Sequence, residues 1–159
     1  MWRIVIVAVA LCVTGVPASA ETTRKEFGPW TAICRGTIGP SNCAILRQHT
    51  APISSQEWAR VFIDFDAAGK PQAVISVPPH ATGGKIFIQV GNANTETLPK
   101  RCHPDRCESP LLNAAWIATV TRTKSLWVQY SGDRGTIYGF VFPVESLERA
   151  IEYVLGEKA

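Results

Sequence analysis

A mainly β domain, either a sandwich or an irregular barrel, with one or two helices packed near its C-terminus, is what the sequence predicts. Three observations carry that prediction. Short segments alternate apolar and polar residues and are separated by clusters of Gly, Pro and Asn. Helical spacing emerges only late in the chain. Beyond an apolar leader, four cysteines bracket short polar loops.

Phe27 to Cys34 reads as the opening strand, with Trp30, Ala32 and Cys34 on one side of the alternation and Trp30 as a core anchor. Cys43 to His49 returns antiparallel to it and closes a hairpin. After the polar 50–56, Trp58 to Asp66 is a strong strand in which Val61, Ile63 and Phe65 oppose Arg60, Phe62 and Asp64. Ala68 to Pro71 is a turn, and Gln72 to Val77 is the next strand, stopped by Pro78-Pro79. His80 to Gly84 reads as a flexible loop, Lys85 to Val90 as a strand and Gly91 to Asn94 as a turn.

Thr95 to Arg101 then leads, extended, into Cys102-His103-Pro104-Asp105-Arg106-Cys107, a corner expected to set the angle of the helix that follows. Ser109 as cap and Pro110 at the first helical position open that helix, with Leu112, Ala115, Trp116, Thr119 and Val120 at helical spacing. Ser125 to Ser131 and Thr136 to Phe142 form a hairpin across 132–135, and Pro143 ends it. A final helix over Ser146 to Leu155 buries Leu147, Ile151, Val154 and Leu155 and stops at Gly156.

The leader comprises Met1-Trp2-Arg3, the apolar Ile4 to Val16, and Pro17-Ala18-Ser19-Ala20 before polar Glu21. A positive start, an apolar run too short to span a bilayer and an Ala-x-Ala site make residues 1–20 a signal peptide cleaved after Ala20. Residues 21–159 then form one domain, expected in the periplasm or, secreted, at the outer surface. No later apolar run approaches membrane-spanning length, so no transmembrane segment is expected in the mature chain.

Lys plus Arg number 16 against 13 Asp plus Glu, and Arg3 departs with the leader, leaving a mature charge of about +2. So slight a balance argues against nucleic acid or an anionic membrane as partner. Lys100, Arg101 and Arg106 are interspersed with Asp105 and Glu108 and read as a solvated loop.

Cys12 belongs to the leader, and Cys34, Cys43, Cys102 and Cys107 remain. An even number in an oxidising compartment reads as two disulfides with three possible connectivities. The local pairs are favoured because Gly36, Gly39 and Pro40 lie in the first loop and Pro104 and Asp105 in the second.

Several features in order resemble the invasion-associated locus B family. They are FGPWTAIC at 27–34, Cys43, the VPP-x4-GG segment at 77–84, Cys102 and Cys107 followed by LL-x3-W, and IYGFVFPVESLERAI at 137–151. The chain departs from that pattern at Pro29, where an acidic residue is common, and at Leu147 to Ala150, which lack a Gly-Phe pair. The resemblance implies an exported envelope protein of Gram-negative bacteria with an immunoglobulin-like β-sandwich plus helices. It also implies a link to host-cell invasion.

Catalytic readings are weaker. A thiol/disulfide oxidoreductase using Cys102 and Cys107, with His103 lowering a thiol pKa, is the main alternative; catalytic dithiols, however, usually stand two residues apart at a helix start. A metal held by Cys102, His103 and Cys107 with His49 or His80 would need free thiolates. There is no Gly-x-Ser-x-Gly elbow, and Gly83-Gly84 lacks the rest of a phosphate-cradling motif. Asp64 and Asp66 read as a solvated strand edge. The expected role is therefore non-enzymatic, without cofactor, metal or catalytic residue. It is the binding of an unidentified protein or envelope component, with the oligomeric state open. Trp58, Trp116, Trp127, Tyr130 and Tyr138 are candidate anchors, against the simpler reading that they fill the core.

Overall fold

The computed structural model describes residues 21–156. The leader over 1–20, with Cys12 and the cleavage position at Ala20, lies outside the described residues, as do 157–159.

In chain order the elements are β1 (Thr22–Phe27), β2 (Trp30–Arg35), β3 (Cys43–Ala51), β4 (Ser54–Phe65), β5 (Pro71–Val77), β6 (Thr82–Val90), β7 (Glu96–Pro99), β8 (Arg101–Cys102), β9 (Cys107–Glu108), α1 (Ala114–Thr121), β10 (Ser125–Ser131), β11 (Ile137–Pro143) and α2 (Leu147–Leu155). They build two antiparallel sheets. One has seven strands in the order β1-β2-β3-β4-β5-β9-β8, and the other has four in the order β11-β10-β6-β7.

Strand alternation decides which side chains enter the space between the sheets. Ile45, Val61, Ile63, Ile75 and Val77 of the large sheet and Ile86, Ile88, Leu126, Val128, Phe140 and Phe142 of the small one are buried there. The result is a β-sandwich whose helices close one end: Ile117 and Val120 of α1, and Leu147, Ala150 and Val154 of α2, join the same core.

The opening differs from the single strand expected over Phe27 to Cys34. Gly28, at φ 56°, and Pro29 make a two-residue turn, so Thr22 to Phe27 becomes a strand paired to Trp30 to Arg35. A glycine at the first central position suits a tight hairpin. Trp30, Ala32 and Cys34 do share the buried face.

Two further segments differ. Positions 54–56, part of the polar stretch ahead of the strand expected from Trp58, are already strand, so β3 and β4 form a long hairpin around Pro52-Ile53. Gly83 and Gly84, expected as flexible loop, belong to β6, with Gly83 at φ 68° near a register shift opposite Gln129 and Ser131.

The helix expected from Ser109 starts later. Ser109 is buried, and its Oγ accepts the Ile75 N–H at 3.1 Å. Leu112 exchanges backbone hydrogen bonds with Ala73. Residues 107–112 therefore line the open edge of β5, where Pro110, lacking an N–H, is at home. Asn113 caps the helix by accepting the Trp116 N–H at 3.1 Å.

Candidate interaction surface

The outer face of the seven-stranded sheet is set by the same alternation that fills the core. Register places Thr31, Leu46, Phe62 and Val74 in one row across β2 to β5, all on that face. The next row runs Gln48, Arg60, Ser76, Glu108 and Arg101. An apolar stripe thus borders a charged one. Phe62 keeps 37% of its surface exposed although it stands mid-sheet.

The polar row is internally braced. Gln48 Oε1 accepts from Arg60 Nε at 3.0 Å and Nη2 at 2.6 Å, and the Arg60 guanidinium lies 5.2 Å from the Trp58 ring. A depression of about 300 Å³ is lined by Arg60, Phe62, Asp64, Val74, Ser76, Arg106 and Glu108. Its far wall is the cysteine corner.

That corner is a hairpin in which Cys102 pairs with Cys107 across β8 and β9 and is bonded to it, closed by the His103 N–H donating to the Arg106 carbonyl at 2.7 Å. Rather than aiming a helix, it extends the large sheet beyond β5 through Val77 and Ser76. Arg106 reaches Asp105 at 2.6 Å and Glu108 at 2.5 Å. Its guanidinium holds the Asp105 carboxyl below the usual carboxylate range, chiefly through that hydrogen bond. Lys100 donates to the carbonyls of Ala81 and Thr82, and burial lowers its pKa. Lys100 and Arg106 are therefore engaged locally.

The second disulfide joins Cys34 to Cys43, directly opposed on β2 and β3. Each bridge closes a short loop, so each is expected to stabilise by roughly 2–3 kcal/mol through the unfolded state. Urea unfolding of the Cys34→Ser/Cys43→Ser chain checks this, with a lowered midpoint expected.

The three histidines lie apart. His103 Nε2 sits 3.6 Å from Glu108 Oε2. His49 packs edge-on against Phe140 and Phe142. His80 Nε2 is 3.0 Å from Glu57 Oε1. Among the described residues, no group of three or more His, Cys, Asp or Glu is placed to hold a metal. Asp66 uses its carboxylate to accept the Ala68 and Lys70 N–H groups of the turn, while Asp64 borders the depression.

Of the aromatic candidates, Tyr130 is fully buried, and Trp58, Trp116, Trp127 and Tyr138 are half-buried. Sequence reasoning missed Phe62 as a candidate anchor, although its phase opposite Val61 and Ile63 puts it outward. It also missed Glu57, which shares the inward phase of Ala59 and Val61 and whose Oε2 accepts the Tyr130 hydroxyl at 2.7 Å.

No described helix is long and apolar enough to cross a membrane. No protein-family model matches the chain, and no curated protein matches it. Among solved structures, the chain is similar to the crystal structure of invasion associated protein B from Bartonella henselae. The match has a TM-score of 0.65 and 14% identity, over 83% of this chain and 95% of that one, and it is a likeness of fold.

Proposed function

We propose that the chain is a divergent member of the invasion-associated locus B family, exported through its leader to the periplasm or outer surface. It works without catalysis by binding a protein or envelope component through the outer face of its large sheet. The observation that carries this reading is the Leu46, Phe62 and Val74 stripe beside the Arg60, Arg106 and Glu108 depression. An aromatic anchor ringed by polar groups is the composition of an interface centre. Support for export comes from the leader and from the two disulfides. The shared fold with the Bartonella protein supports the family.

A photo-crosslinking residue placed at position 62, and as control at Ile53 on the exposed β3–β4 tip, tests the reading in intact envelopes. A discrete adduct from position 62 alone is expected. Phe62→Lys should weaken binding of that species about tenfold or more while leaving the melting curve in place. No adduct, or the same adducts from both positions, would overturn the proposal.

A further inference from the structure

Three of the four sheet edges carry the features that keep strands from pairing with other chains. β1 has Arg24, Lys25 and Glu26; β7 has four residues, among them Glu96 and Pro99; β8 has two. The fourth edge, β11, has none of these along its length: its seven residues, Ile137 to Pro143, are uncharged, and proline comes only at the end.

Hydrogen bonds bracketing the β10–β11 ladder fix which backbone groups face outward. Gly132 N–H donates to Thr136 and Val144 N–H to Lys124. By alternation, Tyr138, Phe140 and Phe142 face β10, while the N–H and C=O groups of Ile137, Gly139 and Val141 point to the open edge. Those three residues pair with no strand but β10 among the described residues, and Ile137 and Val141 are 62% and 52% exposed.

We infer that this edge pairs with the same edge of a second copy, antiparallel, with Gly139 on the two-fold axis. The strand is self-complementary in that register. Ile137 faces Val141 of the other copy, Gly139 faces Gly139, and every outward N–H and C=O of the three residues is matched, joining the two small sheets into one. No charge intervenes, because the outer face of β10 presents Trp127 and Gln129. Gly139 is also required locally. A Cβ there would come within 2.9 Å of Trp127 Nε1, so the indole lies across β11 and adds apolar cover beside the axis.

So short a ladder buries less than the roughly 1,200 Å² of standard interfaces, and association on the order of micromolar is expected. Sedimentation of the mature chain across a concentration series should show a monomer–dimer equilibrium. Ile137→Lys/Val141→Lys puts like charges opposite each other and should abolish the dimer. Ile137→Lys/Val141→Glu puts opposite charges there and should retain it, and both variants alter only exposed side chains. In the unaltered chain, amide exchange at Ile137, Gly139 and Val141 should slow as concentration rises, which needs no variant. A monomer at high micromolar concentration, a dimer that survives the double-lysine change, or equal behaviour of the two variants would overturn the inference. So would capture of a foreign strand at this edge with no self-association.

Discussion

Trp30→Ala is expected to remove about 3–5 kcal/mol of stability, a large part of what a domain of this size possesses. Trp30 is fully buried and heads the large side chains of the core. Its Nε1 donates to the Pro143 carbonyl at 3.0 Å, which ties the second strand of the large sheet to the end of the small sheet's edge strand. Truncation would therefore leave a cavity and an unpaired carbonyl at the junction of the two layers. Trp30→Phe separates these effects: it keeps most of the volume and loses the donor, and should cost about 1–2 kcal/mol. Urea unfolding followed by far-UV circular dichroism measures both. Equal costs for Phe and Ala would mean that the hydrogen bond, not packing, holds the junction.

The alternation that marks Trp30 as an anchor also explains how much of the molecule can be read from the chain. Period-2 patterning fixes faces, so Trp30, Ala32 and Cys34 share the buried side, and Val61 and Ile63 fall inward opposite Arg60, Phe62 and Asp64. Elements are misread where a local signal competes with a neighbour that only the fold supplies. Ser109-Pro110 has the form of a helix start, yet the free edge of β5 claims the serine hydroxyl and the following backbone. Within the helix Val120 of the expected spacing is buried, but it is joined by Ile117, while Ala115 and Thr119 are exposed. Thr22 to Phe27 is polar because it is an edge, and polarity hides it. The proposed interaction face is half legible. The outward phase of Phe62 stands in the sequence, but its neighbours Leu46, Val74 and Arg106 are brought to it by strand order and register.

Glu57→Ala is expected to cost about 3–4 kcal/mol, and Glu57→Gln distinctly less. Glu57, 8% exposed, accepts the hydroxyl of fully buried Tyr130 at 2.7 Å and holds His80 at 3.0 Å. Alanine strands a buried donor, worth about 1–3 kcal/mol, and removes the His80 contact and buried methylenes besides. Glutamine keeps an acceptor for Tyr130 and offers a donor to a neutral His80. The same pair gives an alkaline signature. Burial first, and the Glu57 hydrogen bond second, push the Tyr130 phenol well above its ordinary value of 10.0. A raised folded-state pKa means that the native chain holds a proton the unfolded chain releases. Tyr130 thus contributes fully below about pH 10, and its contribution fades as pH rises beyond that value. Absorbance of tyrosinate at alkaline pH should accordingly show one tyrosine ionising only together with unfolding. Tyr130→Phe should abolish that coupled step, and with it most of the stability difference that Glu57→Gln makes above about pH 10. Free titration of every tyrosine before unfolding would contradict the buried pair.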